Sequence, residues 1–429
     1  MSDPVDVTRR SFLDTLAGVP VAAALGGGVA RAQAPAGASA PGAPADLPRP
    51  TTVSGADLGA NFGAVQRLDT QTSYPGSFLS GRFSTVDAFT TAGRTAILDA
   101  YGYRPAPVAP AAEIMDRYEG PDYIREKVVF STTPTFRVPA YVFIPKGLRG
   151  RAPAIVDLHS HGGMFLFGKE KIIDFGRNHP AMTTYHAGNY ESRPTATELV
   201  RRGYVVITID AFMFGERRVL MDADLPVGWD RATYDVETVT RLNRVCASKE
   251  STLAKTLTVL GMSWPGIVAW DDMRTVDYLS SRPEVDPKRI GCVGVSFGGW
   301  RSLFLSALDS RIAAGCIVGF MSTIRPMLQR HVDTHSWVHF VPGLHSHLDL
   351  PDVASLNAPR PLLIQQCSKD ALYPLAGMQE AVKKVGDVYA KAGIADRFTS
   401  QFYDVPHIFN RQMQDDAFAW FEKQLKPRG

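Results

Sequence analysis

Apolar runs and stretches of helical periodicity alternate along most of the chain. The apolar runs lack polar alternation, which is typical of parallel strands whose two faces are both covered by helices. Between them, apolar positions recur at the three- and four-residue spacing of amphipathic helices. The predicted strands are Ala154–Leu158, Tyr204–Ile209, Ile290–Val295, Ala313–Val318, Pro361–Ile364 and Phe398–Tyr403. The predicted helices are Thr195–Arg202, Ile267–Ser281, Gly298–Leu308, Met378–Ala392 and Gln412–Lys423.

This alternation predicts an α/β fold, built on a mostly parallel, doubly wound sheet with helices on both faces. Ahead of it, residues 57–105 show short helical patterns, of which Val86–Tyr101 is the clearest. Two strand-like runs between Tyr123 and Pro145 flank Thr132-Thr133-Pro134 and predict an antiparallel pair. We therefore expect one domain over residues 121–429, preceded by an N-terminal helical extension over residues 53–120.

The first residues carry a different pattern from the rest of the chain. Arg9 and Arg10 precede Phe12-Leu13 and a weakly apolar stretch, and small-residue A-x-A patterns follow at 30–32 and 32–34. This order resembles a twin-arginine (Tat) signal peptide over residues 1–34. The resemblance implies that the Tat export machinery is a partner and that the mature chain is periplasmic or secreted. Residues 35–52 are mostly Ala, Pro and Gly, which predicts a flexible linker.

The composition excludes several classes of protein. A hydrophobic fraction of 45% argues against global disorder. The formal net charge of +3 is too small for a broad nucleic-acid or membrane footprint, and no apolar run reaches the ~18–20 residues of a membrane helix. We expect no nucleic-acid partner and no membrane contact in the mature form. The cysteines Cys246, Cys292, Cys316 and Cys367 form no C-x-x-C pair, and we expect small buried residues rather than disulfides.

A G-x-S-x-G motif gives the sharpest chemical signal in the sequence. It runs from Gly294 to Gly298, between a predicted strand and a predicted helix, with Ser296 at its centre. A tight strand-to-helix turn of this kind holds the serine hydroxyl above the sheet edge, at the positive end of a helix dipole. Side chains at the two glycine positions would clash with neighbouring backbone. The motif therefore predicts Ser296 as a nucleophile.

A serine nucleophile requires a base and a carboxylate that orients the base. Asp370 follows the predicted strand that begins at Pro361, and His407 follows the last predicted strand. Both then lie with Ser296 at carboxyl ends of strands, where open α/β sheets bind their ligands. We predict His407 as the base and Asp370 as the orienting acid. Asp404 and Asp333 are less favoured alternatives for the acid.

The negative charge that develops on a substrate oxygen needs backbone N–H donors. The first predicted donor is Phe297, which directly follows the nucleophile. The second should come from the loop after the strand Ala154–Leu158, where His161 is the first choice and Gly162 the fallback. His159 would then brace this loop rather than take part in chemistry.

Taken together, these residues resemble the α/β-hydrolase superfamily, and more narrowly its branch of dienelactone hydrolases and acetyl xylan esterases. In that superfamily the nucleophile, acid and histidine follow one another in the order of Ser296, Asp370 and His407. Ser160 departs from the His-Gly opening that is common in the family at this loop. The resemblance implies a serine esterase without a cofactor, acting on carboxylic esters such as acetyl or methyl esters of carbohydrates or small aryl esters. The matching stretches are 158–163, 202–210, 214–217, 270–272, 282–290, 294–299, 341–343 and 358–363.

Two other functions remain open at this point. One is an exported serine peptidase or amidase of the prolyl-oligopeptidase type, although the residues before the predicted sheet lack the repeated strands of a propeller. The other is a non-catalytic or metal-binding periplasmic protein. Histidines at 331, 335 and 339 have the spacing of one helical face, but no carboxylate or cysteine completes a recognised zinc pattern, and we predict no metal.

Overall fold

The computed structural model describes residues 55–69, 73–227 and 231–426. The predicted signal peptide at 1–34 and the predicted linker at 35–52 lie outside the described residues. Within them, no helix has both the length and the apolar composition needed to cross a membrane.

A nine-stranded sheet organises the chain in the order β1-β2-β3-β5-β4-β6-β7-β8-β9. The strands from β5 through β4 to β9 are parallel, and β1, β2 and β3 extend the sheet in antiparallel pairs. The predicted α/β class with a mostly parallel sheet is therefore confirmed. The strands are β1 (Glu113–Glu119), β2 (Tyr123–Ser131), β3 (Arg137–Pro145), β4 (Ala152–Leu158), β5 (Val205–Ile209), β6 (Val285–Val295), β7 (Ile312–Val318), β8 (Leu362–Cys367) and β9 (Phe398–Tyr403).

Helices cover both faces of the sheet, as the sequence predicts. Consecutive residues of β4 belong to different apolar clusters, with Ile155 in one and both Ala154 and Val156 in the other. A strand that is apolar on both faces is stable only under two layers of helices. The helices are α1 (Phe62–Asp69), α2 (Val86–Tyr101), α3 (Pro180–Tyr190), α4 (Thr195–Arg201), α5 (Val236–Ser248), α6 (Glu250–Val259), α7 (Trp264–Ser281), α8 (Phe297–Leu308), α9 (Leu350–Ser355), α10 (Leu375–Lys391) and α11 (Arg411–Leu425).

Several elements differ from the sequence predictions. The edge strand β1 was not predicted, because all of its side chains are exposed and a bulge between Ile114 and Asp116 breaks its alternation. Strand β6 begins at Val285 rather than Ile290, since Val285 also pairs with Ala152 beyond a register shift. Helices α3, α5 and α6 lie in segments for which no element was predicted. The prediction of unpaired, buried cysteines is confirmed for all four.

The described residues before β1 form α1, α2 and short 3₁₀ turns, and they pack against the segment that follows β7. Asp69 of α1 pairs with Arg325 (Nε–Oδ2 2.6 Å) and with His345 (Nε2–Oδ1 3.0 Å). The backbone N–H of Asp57 donates to the carbonyl of Gln329 at 2.8 Å. This N-terminal helical extension therefore supports the segment after β7, which continues into one wall of the cavity beside Ser296.

Candidate active site

Ser296 lies in the sharp turn between β6 and α8, in a backbone conformation that favours glycine. Its φ is 61° and its ψ is −120°, and its N–H donates to the carbonyl of Val318 at 2.9 Å. A Cβ on Gly294 would lie 2.4 Å from the Leu158 carbonyl oxygen, and one on Gly298 would lie 2.0 Å from it. Both glycines are thus required by the approach of β4. A non-glycine residue in such a conformation costs about 1–3 kcal/mol, and strain of this kind clusters at active sites.

His407 and Asp370 form a short hydrogen bond behind this turn. The distance between His407 Nδ1 and Asp370 Oδ2 is 2.5 Å, and the Asp370 side chain is almost completely buried. The N–H of Leu372 donates to the other carboxylate oxygen of Asp370 at 2.9 Å. Because Nδ1–H donates to the carboxylate, the Nε2 of a neutral ring carries the lone pair. This tautomer is the one that a general base requires.

Ser296 and His407 line the same cavity, which has a volume of about 340 Å³. Asp370 joins them through its bond to His407, so the structure brings together the three residues predicted from the sequence. Asp404 points elsewhere, since its exposed carboxylate pairs with Lys369 at 2.8 Å. Asp333 lines the cavity but forms no hydrogen bond or ion pair with His407 among the described residues. The full lining is His161, Gly162, Gly163, Glu250, Ser296, Asp333, Thr334, His335, Ser336, His339, Leu372, Tyr373 and His407.

The predicted oxyanion donors lie at the same end of the sheet. Phe297 is the first residue of α8, where backbone N–H groups have no partner within the helix. His161 and Gly162 follow β4 and line the cavity. Over the described ranges, the N–H groups of Phe297, His161 and Gly162 have no acceptor within the protein. The geometry leaves both His161 and Gly162 open as the second donor.

Two histidine side chains fix the loop after β4. His159 is buried, accepts from the Ala211 N–H at Nε2 (3.1 Å) and donates from Nδ1 to the Ser160 carbonyl (3.0 Å). His161 accepts from the Gly163 N–H at Nδ1 (3.1 Å) and donates from Nε2 to Glu250 Oε1 (2.9 Å). Burial lowers the pKa of both imidazoles, which keeps them neutral. His159 therefore has the bracing contacts that the sequence predicts.

Glu250 is a site residue that sequence reasoning missed. It is the first residue of α6, in the long insertion between β5 and β6, and its carboxylate also accepts from Ser336 Oγ at 2.6 Å. It thus ties the loop after β4 to the opposite wall of the cavity. No local motif marks this residue, because its partners lie more than 80 positions away in both directions.

The histidines at 331, 335 and 339 do not share a helical face. Their segment forms turns and a 3₁₀ helix at Trp337–His339, so a spacing of four does not align them. His335 and His339 line the cavity, and burial lowers the pKa of both rings. They form a neutral wall beside His407.

A cluster of carboxylates lies outside this cavity and surrounds a lysine. Glu170, Asp210 and Glu216 place carboxylate oxygens within 4.8 Å of one another. The ammonium of Lys169 lies 2.6 Å from Asp210, 2.7 Å from Glu216 and 3.2 Å from Glu170. Arg231 adds a contact to Glu170 at 2.9 Å, and Lys127 adds one to Glu216 at 3.1 Å. The cluster is therefore balanced by cations that belong to the chain.

Aromatic side chains of the long loops mostly pad the core. Phe165 and Phe214 stack with ring centroids 5.0 Å apart, and His161 packs edge-on against both. These rings support the loop after β4 from below. Tyr373 differs, since it lines the cavity itself.

The chain resembles known proteins in sequence and in fold. A model described as the Abhydrolase family matches residues 83–388. The protein named "Putative hydrolase YtaP" of Bacillus subtilis (strain 168) is 28% identical over 292 residues, which cover 67% of this chain and 84% of that protein.

Solved structures share the architecture over most of the chain. A "putative acetyl xylan esterase" of Bacteroides fragilis NCTC 9343 has a TM-score of 0.60 at 21% identity, and the match covers 80% of this chain and 82% of that one. A glucuronoyl esterase from Solibacter usitatus has a TM-score of 0.54 at 16% identity, with coverage of 80% and 94%. At these identities the likeness concerns the fold.

Proposed function

The chain belongs to the Abhydrolase family and is a hydrolase of the α/β-hydrolase type, and on that premise we propose that it cleaves carboxylic esters through an acyl-enzyme on Ser296. The observation that carries the proposal is the bond between Asp370 and His407, whose ring lines one cavity with the strained serine. A hydroxyl, a base and a buried orienting carboxylate are the parts that acyl transfer requires.

Each residue then has a role in two half-reactions. His407 Nε2 takes the proton of Ser296 Oγ as the oxygen attacks the ester carbonyl, and it returns the proton to the leaving alcohol. Asp370 stays ionised, holds the imidazole tautomer and stabilises the imidazolium. The N–H of Phe297 and that of His161 or Gly162 bind the oxyanion. Water, activated by the same histidine, releases the acid, and no cofactor takes part.

The cavity lining favours uncharged substrates. Among the described residues that line it, Asp333 and Glu250 supply carboxylates, and none is a lysine or an arginine. An anionic substrate would meet like charge without a compensating cation. We therefore propose neutral acyl esters, such as acetyl or methyl esters of carbohydrates or small aryl esters. The names of the two esterases of similar fold support a carbohydrate ester.

A substrate panel with an inactive control tests this function. Purified protein should hydrolyse acetylated sugars, methyl uronates or aryl acetates, and Ser296→Ala should lower kcat by roughly 10⁴–10⁶-fold. Peptide anilides and lactones belong in the same panel, because faster cleavage of anilides would replace the esterase with a peptidase. Full activity of Ser296→Ala on every substrate would remove Ser296 from the mechanism.

We also propose that residues 1–34 direct export by the Tat machinery, that residues 35–52 link them to the enzyme, and that the mature chain is periplasmic or secreted. The pair Arg9-Arg10 before Phe12-Leu13 supports this. Replacing both arginines by lysine should retain the full-length chain inside the cell. N-terminal sequencing should show that the exported chain begins directly after Ala32 or Ala34. An uncut exported chain would contradict the proposal.

A further inference from the structure

Lys171 is a buried lysine next to the candidate active site that the proposed mechanism does not use. Its side chain is completely buried, in the 3₁₀ turn at Lys169–Ile172. Its Nζ donates to the carbonyl of Ser160 at 2.7 Å and to the carbonyl of His161 at 2.9 Å. No carboxylate lies within 4.0 Å of it in the parts of the chain that are described. The Nζ is thus held by two consecutive backbone carbonyls.

Aromatic rings complete the surroundings of this Nζ. Nζ lies 4.7 Å from the ring centre of Phe214 and 5.7 Å from that of Tyr185. Burial lowers the pKa of Lys171 well below that of an exposed lysine, and the opposing effects of Asp210 and Glu170 do not offset it. A buried lysine without a counter-ion is costly for the fold. We therefore expect Lys171 to have a local role that offsets this cost.

The geometry of the two peptide groups whose carbonyls Lys171 contacts indicates such a role. In a trans peptide the N–H points away from the C=O of the same group. The Ser160 carbonyl shares its peptide group with the N–H of His161, and the His161 carbonyl shares its group with the N–H of Gly162. The Ser160 carbonyl also accepts from His159 Nδ1 at 3.0 Å, and the His161 carbonyl from the Met164 N–H at 3.1 Å, but Lys171 is the one side chain that contacts both carbonyls among the described residues. Because these donors hold the two carbonyls, both N–H groups are directed away from Lys171. These are the two alternatives for the second oxyanion donor, and neither has an acceptor among the described residues.

We propose that Lys171 is the positioning residue of the oxyanion site, which aims the second backbone donor and strengthens it through the peptide bond. This inference rests on the proposed function. A carbonyl that accepts a hydrogen bond becomes more polarised, and the N–H of the same peptide group becomes a better donor. The donor is then fixed before the reaction begins, so no reorganisation is needed as charge develops on the substrate oxygen.

The loop has anchors that do not involve its carbonyls, which allows the proposal to be separated from simple bracing. The Ser160 hydroxyl contacts Tyr185 Oη at 2.7 Å and Tyr190 Oη at 3.1 Å. The His161 ring is held by Glu250. Tyr185→Phe therefore removes one anchor of the loop and leaves both carbonyl bonds to Lys171 intact. It is the matched control for Lys171→Met, which keeps the volume and removes the Nζ donor.

The test measures the rate at which a fluorophosphonate labels Ser296 in the full chain, because phosphonylation places an oxygen in the same site and needs no natural substrate. Lys171→Met should lower the second-order labelling rate by about 10–100-fold, less than the full loss of one donor. Tyr185→Phe should stay within about threefold of the wild type. With an ester substrate, Lys171→Met should lower kcat and leave KM nearly unchanged, since the donor acts in the transition state. If Lys171→Met fails to fold by circular dichroism, Lys171→Gln keeps a donor without charge and should show a smaller loss.

Each outcome discriminates. A folded Lys171 variant that is labelled at the wild-type rate overturns the inference. An equal loss of labelling rate in Tyr185→Phe also overturns it, because it would show that Lys171 only braces the loop. A wild type that is labelled but hydrolyses no ester overturns the ester proposal, while the labelling rates still decide the role of Lys171. A wild type that is not labelled overturns both.

Discussion

The guanidinium of Arg301 lies against the carboxylate of Asp272, with Nε–Oδ2 at 3.0 Å and Nη2–Oδ1 at 2.6 Å. The exposed fraction of the side chain is 0% for Arg301 and 1% for Asp272. The pair joins α8 to α7, and α8 begins directly after Ser296. It therefore fixes the helix that carries the nucleophile turn.

Removing one partner of this pair should destabilise the protein more than removing both. Asp272→Leu leaves the Arg301 charge buried and unpaired, which typically costs about 3–5 kcal/mol of unfolding free energy. The double variant Asp272→Leu with Arg301→Met leaves no buried charge and should recover most of that loss. Urea unfolding of the wild type, of Asp272→Leu, of Arg301→Met and of the double variant measures the cycle. A double variant as unstable as the single one would contradict the expected coupling.

Ser296→Gly should be more stable than Ser296→Ala, although both lack the nucleophile. Glycine adopts the positive φ of this turn at little cost, whereas alanine keeps the strain of the serine. We expect a difference of about 1 kcal/mol, measured by thermal or urea unfolding. Equal stabilities would mean that the turn relaxes when the hydroxyl is lost.

Asp370→Asn should abolish most activity while preserving the fold. The amide of this variant would donate to His407 Nδ1, which places the ring proton on Nε2. Nε2 then has no lone pair with which to accept the proton of Ser296 Oγ. A loss of about 10⁴-fold in kcat, with little change in KM, is the expected size for such a tautomer change. Asp404→Asn is the control, since that exposed carboxylate contacts Lys369 and Ser368 rather than His407. Similar losses in both variants would reassign the acid.

Asp157→Asn should gain stability over the wild type as the pH rises. Asp157 is buried in β4, where burial raises its pKa to about 7 and the Thr195 hydroxyl donates to it at 2.7 Å. In the unfolded chain an aspartate titrates near about 3.9. The wild type therefore loses stability relative to the variant from about pH 4 to about pH 7, at up to about 1.4 kcal/mol per pH unit, and the difference is constant above that. Urea unfolding at pH 4.5, 6 and 7.5 measures it, and a difference independent of pH would refute it.

Local signals explain which parts of the structure the sequence predicts. Neighbouring backbone requires glycine on both sides of the turn at Ser296. The G-x-S-x-G motif in the sequence is therefore enough to predict the turn. Asp370 and His407 follow strands whose apolar runs are unmistakable, and the structure accordingly sets both beside the turn. Their catalytic roles stay predictions until the variants are measured.

Other residues of the site have no local signature. Lys171 lies in a segment for which no element was predicted, and its burial includes a contact with Phe214, which is more than 40 residues away in the sequence. Glu250 reaches the cavity from an insertion whose helices were not predicted, although α5 buries Val239, Leu242 and Cys246 on one face. Strand β1 has no buried face at all. These features depend on long-range packing, which composition and periodicity do not encode.

The strand order also sets a schedule for the appearance of activity during synthesis. Ser296 leaves the ribosome about 110 residues before His407, and β9, which leads to the histidine, is the outermost parallel strand. Large domains fold as their chain emerges. A nascent or prematurely ended chain therefore holds the serine in reach of solvent but has no base to deprotonate it. On the proposed mechanism, the hydroxyl becomes a nucleophile only when the last strand joins the sheet, and we expect incomplete chains to be inactive.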